Sequence, residues 1–246
     1  MLERDDQGQR DTDDGEQCAK AVTGSTRKWW NGVVQGDRST LPESLEEPLL
    51  RAGFLDDPAS RQTIRENLDA TAPRLRVLAL RAASRRHLLD ADDWLRSLGD
   101  ESLDVRREAI ALLAYVAVDD LRVIVAMTGA LDDADALVVD AAAFALGEHA
   151  VTNAVEPLTR VARDHDDARC REAAIAALGV IGDERGRAAI IAALSDKAPV
   201  RRRAVVALAN FEGPDVQAAL EQAGEDRDWQ VRAAAEQLNR DDEGND

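Results

Sequence analysis

Between Asp166 and Ser195 the chain reads DDARCREAAIAALGVIGDERGRAAIIAALS, and its apolar positions form two short helical patterns. Cys170, Ala174, Ala177 and Leu178 recur at i, i+4, i+7 and i+8, one face of an α-helix. Ala188, Ile191, Ala192 and Ser195 fall on a similar stripe. Gly179 and Gly182 stand where the first helix is expected to stop, and Asp183 where the second is expected to be capped. A single hairpin of this kind has an apolar face and nothing of its own to bury it against. The pattern therefore predicts neighbours built the same way.

The rest of the chain supplies them. LRVLALRAAS from Leu75, VRREAIALLA from Val105, VVDAAAFALG from Val138, CREAAIAALG from Cys170, VRRRAVVALA from Val200 and VRAAAEQLNR from Val231 superimpose, with starts spaced by 30, 33, 32, 30 and 31 residues. Position one is Leu, Val or Cys, and position two is Arg in five of the six copies. Position five is alanine throughout: Ala79, Ala109, Ala142, Ala174, Ala204 and Ala235. Position nine is Leu113, Leu146, Leu178 and Leu208 in the four central copies. Second helices are expected near 90–98, 119–130, 153–163, 185–195 and 214–223, the last opened by Gly213-Pro214. Upstream, Thr40 before Leu41-Pro42 and Asp57-Pro58 signal an atypical first unit, with helices near 41–52 and 58–68. The sixth copy lacks a partner helix, and its polar Glu236, Gln237, Asn239 and Arg240 suit a terminal repeat that meets water.

These boundaries divide the chain into a tail at 1–38, a solenoid at 39–240 and an acidic end at 241–246. The tail is polar and lacks periodicity, which predicts disorder. It closes on Arg27-Lys28-Trp29-Trp30, read either as a segment docked on the first helices or as a linear motif for a partner.

Composition sharpens the helical reading. Aromatics are only 3% and alanine supplies much of the apolar content, which suits closely packed helices rather than a sheet. The net charge is −17, and Lys20, Lys28 and Lys197 are the only lysines. That balance attracts basic partners and repels nucleic acid. It also fits adaptation to a salt-rich cytoplasm, as in proteins of extreme halophiles, because the acids are spread along the whole chain. Cys18 and Cys170 do not suggest a disulfide framework. No signal-like N-terminal run occurs, nor any stretch near the roughly 18 apolar residues of a membrane span. The expected location is cytoplasmic.

A period near 31, two helices per unit and D-x(4)-V-R-x-x-A at the start of the first helix resemble HEAT repeats. The short period and ALG endings look most like the HEAT-like repeats of phycobilisome (bilin) lyases. The resemblance covers residues 69–239, extending to 41 with the degenerate first unit. It implies an all-α fold, an α-solenoid of stacked two-helix repeats. It also implies a ladder in which an acid entering one repeat meets the arginine of a neighbour. Asp100, Asp133 and Asp226 stand five residues before their repeat starts, while Asp69, Asp164 and Asp196 are offset by one. Arg76, Arg106, Arg171, Arg201 and Arg232 are the expected partners, with a structural role. The third copy departs: Val139-Asp140 replaces Arg-x, Phe144 brings bulk, and the helix ends Gly147-Glu148-His149. This reads as a local site, a change of curvature or ordinary drift between repeats.

No catalytic constellation emerges. His87, His149 and His165 lie in different repeats, with no His-x-x-x-His or Cys-x-x-Cys, so no metal or cofactor is expected. Deoxyhypusine hydroxylase, which shares the repeat fold, carries His-Glu pairs early in selected first helices. The matching positions here are Arg107-Glu108, Asp140-Ala141, Glu172-Ala173 and Arg202-Arg203. Bilin lyases resemble the chain only in the repeat framework. A basic groove for nucleic acid, a phosphate-binding glycine loop and a Ser-His-Asp arrangement are not found. The expectation is a non-catalytic scaffold or adaptor for a protein partner, with a lyase-like or hydroxylase-like enzyme as the alternative. Second helices usually line the concave side of such arrays. Trp94, Arg122, Glu156, Arg160, Arg187 and Gln217 are the candidate contacts, Trp94 being read as either an anchor or a packing residue.

Overall fold

The computed structural model describes residues 43–243. The expectations for the tail at 1–38, for Trp29-Trp30 and for the cap at Thr40 lie outside these residues. Among the described residues the chain forms thirteen α-helices and no strand. The atypical first unit is α1 (Glu43–Ala52) and α2 (Pro58–Leu68). Five two-helix units follow: α3 (Pro73–Arg85) with α4 (Ala91–Leu98), α5 (Leu103–Leu113) with α6 (Leu121–Gly129), and α7 (Ala136–Glu148) with α8 (Val155–Asp164). The last two pairs are α9 (Ala168–Ile181) with α10 (Glu184–Ala192) and α11 (Ala198–Leu208) with α12 (Pro214–Gly224). A lone α13 (Trp229–Glu243) ends the array, continuing through Asp241–Glu243, where the acidic end was expected to begin.

Local chemistry sets the boundaries. Ser60 N–H donates to the Asp57 carboxylate at 2.9 Å where α2 starts. Asp90 and Asp93 form a reciprocal capping box at α4. Asp120, Asp135, Asp167 and Asp183 each accept an amide two residues on as a helix opens. Gly182 stops α9 in the left-handed region, with φ 65°. Gly179, expected to share that role, instead lies inside α9. A Cβ there would sit 2.6 Å from Ala207 Cβ, so glycine is what lets α9 and α11 approach so closely. Gly147 plays the same part against Ala177. His87 and Ala150, both with positive φ, end α3 and α7 in the same way. Their amides and the following ones bond back to Ser84 and Ala83, and to Gly147 and Leu146.

The repeat is the core. All six position-five alanines are fully buried, as are Leu113, Leu146, Leu178 and Leu208. Each first helix packs between the first helices of its neighbours and against the preceding second helix. A small residue at position five keeps these axes close, and the leucine fills the space that remains. Cys170 takes a valine position. Its thiol donates to the Ala136 carbonyl at 3.1 Å, and burial pushes its pKa up to about 12, so it is held as the neutral thiol.

Candidate interaction surfaces

Arginines at position two reach forward into the next unit. Arg76 pairs with both oxygens of Asp100 at 2.8 and 2.7 Å, and Arg106 with those of Asp133 at 2.8 and 3.1 Å. Arg171 pairs with Asp196 at 2.6 and 2.7 Å, and Arg201 with Asp226 at 2.8 and 2.7 Å. The remaining guanidinium nitrogen donates to the loop just before its own helix: Ala70 and Thr71 for Arg76, Asp100 and Glu101 for Arg106, and Asp196 for Arg201. Each arginine thus ties its own loop to the next one, with both carboxylate oxygens and a carbonyl satisfied. Arg232, in the terminal copy, makes the loop bond, to the Asp226 carbonyl.

The offset acids behave differently from one another. Asp196 completes a rung from a loop one residue shorter. Asp69 meets Arg96 rather than a position-two arginine. Asp164 is not a rung residue at all; its loop places His165 at the rung position, six residues before Arg171. His165 Nδ1 accepts the Asp167 amide at 3.0 Å, the local bond that Asp100, Asp133 and Asp226 make elsewhere. In the register of the other rungs, the counterpart of His165 is Val139, fully buried. Both halves of this rung are therefore changed together: an apolar side chain for the guanidinium and an imidazole for the carboxylate. Leaving either charge without the other would have stranded it. His149, at the end of the same copy, is bonded through Nε2 to the Leu113 carbonyl at 2.7 Å and ties α7 to α5.

On the second-helix face, Trp94 is buried, 8% exposed, so it is a packing residue and not a surface anchor. Arg122 pairs with Asp120 at 2.9 Å and with Asp92 of the preceding unit at 3.0 Å. Arg160 lies 3.6 Å from Asp132. Arg187 pairs with Glu184 at 2.8 Å and donates to the Glu212 carbonyl at 3.1 Å. Gln217 donates to Glu221, and Glu156 is exposed. Arg122, Arg160 and Arg187 reach neighbouring elements, Gln217 bonds within its own helix, and these polar side chains do not converge on one point. Leu121 and Val125, one turn apart on α6, are 65% and 62% exposed, a pairing that neither residue signals alone in the sequence.

The first-helix face carries a different arrangement. Positions seven and eleven face outward, joined by position four in the third and fourth copies, and in the central copies they are mostly apolar: Ala111 and Tyr115, Ala141 and Phe144, Ala173, Ala176 and Val180, then Val206. The Tyr115 and Phe144 rings lie 6.2 Å apart at 52°. Along α7, Asp140, Phe144 and Glu148 fall at i, i+4 and i+8. The half-buried Asp140 carboxyl feels the charges of Arg169 and Glu172 of α9 and of Asp167 at its N-cap, and Arg169 already serves Asp167. Desolvation raises its pKa to about 6, with Arg169 opposing weakly. Burial also raises that of Glu148.

Asp140→Asn tests the environment of that carboxyl. Its folded pKa lies above the unfolded value of about 3.9, so wild-type stability falls as pH rises from about 4 through about 6. The variant is expected to be more stable than wild type at pH 7, by on the order of 1–2 kcal/mol, with no difference below pH 4. Thermal melts across that range measure it; a variant less stable at pH 7 would refute the assignment.

Of the acids at the positions that match the hydroxylase metal ligands, Glu108 and Glu172 are paired with arginines. Glu108 is bonded to Arg81 by both oxygens at 2.6 Å, and Glu172 lies 3.5 Å from Arg203. Among the described residues no group of three or more His, Cys, Asp or Glu is placed to hold a metal ion, and no helix is long and apolar enough to cross a membrane.

Comparison with solved structures places this arrangement among repeat proteins. An Escherichia coli protein, YibA, superimposes with a TM-score of 0.53 at 19% identity, over 82% of this chain and 75% of its own. A designed armadillo repeat protein in complex with the peptide (KR)4 does so with a TM-score of 0.51 at 18% identity, over 80% of this chain and 99% of its own. An engineered protein reaches 0.57 at 18% identity, over 90% of this chain and 70% of its own. Among curated proteins no sequence matches the chain. The family model for HEAT repeats matches residues 91–179, 124–204 and 155–239, which together span more than half of the chain. With its two-helix units stacked through the position-five alanines, the chain belongs to the HEAT repeat family.

Proposed function

We propose that this protein is a non-catalytic scaffold or adaptor that binds a protein partner along its helical surface. One observation carries the reading. Among the described residues the framework takes up most of the arginines in contacts between repeats, while large apolar side chains stay uncovered on the helix faces: Tyr115, Leu121, Val125 and Val180. A repeat array that offers such a surface is suited to a peptide or domain, and the designed armadillo protein shows a related architecture with a peptide bound. On the second-helix face, Arg122, Glu156, Arg160, Arg187 and Gln217 are proposed contacts, with Leu121 and Val125 beside Arg122. The likeness to the repeats of bilin lyases lies in the framework and supplies no residue for chromophore handling. A buried neutral thiol at Cys170 is compatible with a reducing, cytoplasmic setting.

Affinity capture followed by mass spectrometry, at native ionic strength in cells that express the protein, tests the proposal. A reproducible protein partner is the expected result. Recovery of none, or of bound iron or tetrapyrrole with the purified protein, would overturn it.

A further inference from the structure

Within the scaffold reading, on which this inference rests, one face has a shape and charge that specify its occupant. We infer that the outward face of α7, built on Asp140, Phe144 and Glu148 and flanked by Tyr115, Ala176 and Val180, docks an extended segment of another protein in which basic residues flank an aliphatic one.

The apolar part comes from three adjacent helices. Phe144 is half-buried at position seven of the third copy. Its counterparts in the neighbouring units are Ala111 and Ala176, so the ring stands above a floor of small side chains. Tyr115, 63% exposed, continues the aromatic surface on one side, and Val180, 43% exposed, continues the apolar surface on the other. An aliphatic side chain laid against the Phe144 ring would remove this area from water.

Asp167 and Glu172 beside Asp140 are matched by Arg169 and Arg203, so the charge left outside ion pairs comes from α7. Among the described residues, neither the Asp140 nor the Glu148 carboxylate is in an ion pair, while the rung aspartates are paired and bonded. Eight residues of helix separate the two by about 12 Å along the axis. Four residues of an extended peptide span about 13 Å. Lysines or arginines four apart therefore reach both carboxylates while the residue midway between them covers Phe144. A cation near an aromatic ring and a half-desolvated carboxylate gains from both. An acidic or purely polar segment fits neither feature.

Fluorescence anisotropy with a short labelled peptide of the repeat lysine-serine-leucine-serine-lysine tests this on the full chain at fixed salt. Wild type is expected to bind it, and to bind the versions with glutamate for lysine or serine for leucine at least tenfold more weakly. Asp140→Asn combined with Glu148→Gln is expected to lose about tenfold in affinity. Glu212→Gln with Glu225→Gln removes the same charge elsewhere, at exposed residues outside both proposed surfaces, and is expected to change affinity less than twofold. Circular dichroism melts establish that both double variants are folded. Equal losses in the two would mean attraction by net charge alone and would overturn the inference, as would absence of binding by wild type. The partner-capture experiment separates the two readings. A natural partner retained undiminished by the Asp140/Glu148 variant leaves the scaffold standing and removes this surface; no partner at all removes both.

Discussion

Leu178→Ala is expected to lower the unfolding free energy by about 2–5 kcal/mol, with a fall in Tm of roughly 5–15 °C. Leu178 is 1% exposed in the middle of α9. It contacts the start of α10, where a Cβ on Gly186 would lie 3.0 Å from Leu178 Cδ2. That side of the cavity cannot close easily, since Gly186 brings no side chain to move into it. On the other sides stand α7 and α11, already held at close approach by Gly147 and Gly179. A site walled by backbone collapses poorly, which favours the upper half of the range. Chemical denaturation measures the effect, and a loss below 1 kcal/mol would place Leu178 outside the core register.

Arg201→Ala is expected to cost about 3 kcal/mol at pH 7, because it strands a carboxylate in a poorly hydrated place. Arg201 is 4% exposed as a residue, the most buried of the rung arginines, and its loss frees both oxygens of Asp226 and the Asp196 carbonyl. Surface pairs such as Arg61 with Asp56 carry no comparable expectation. The pH dependence identifies the mechanism. The hydrogen bonds from Arg201 hold the Asp226 carboxyl below the usual carboxylate range, and those from Arg171 do the same for Asp196. A depressed pKa means stability that is present above the unfolded value of about 3.9 and is lost as pH falls through the folded one. The wild-type advantage over Arg201→Ala should therefore be constant near neutrality and shrink below pH 4. Denaturation at pH 3 and pH 7 tests this: an equal loss at both would show that packing of the arginine stem, not its charge, was removed.

The third copy shows why part of the site escaped a reading by sequence. Val139 stood out at once, because an arginine was missing from a recurring column. Its partner change did not, since Asp164 and Asp166 flank His165 and supplied an acid to count. Only loop geometry reveals that His165 occupies the rung position, through its bond to the Asp167 amide. Trp94 was ambiguous for a related reason. An aromatic among acids on a short helix satisfies both the pattern of an anchor and that of a wedge between units, and burial decides between them. The spacing of Asp140, Phe144 and Glu148 is visible in the chain, yet it acquires meaning only once α5 and α9 present Tyr115 and Ala176 beside it.

What the sequence determined by itself is the repeat. Alanine at position five, leucine at position nine and a period near 31 are short-range facts, and each follows from what a helix needs in order to stack on a copy of itself. Capping aspartates and turn glycines act within a few residues of their own position, so they too can be read in line. The tertiary structure decided which outward side chains share a surface and which charges are already spent. Gly179 is the plainest case: in the chain it resembles a helix stop, and in the fold it is the space that Ala207 of the next unit requires. Such assignments depend on residues some 30 positions away, where a change of one residue in a loop shifts the register, and the linear pattern does not carry that information.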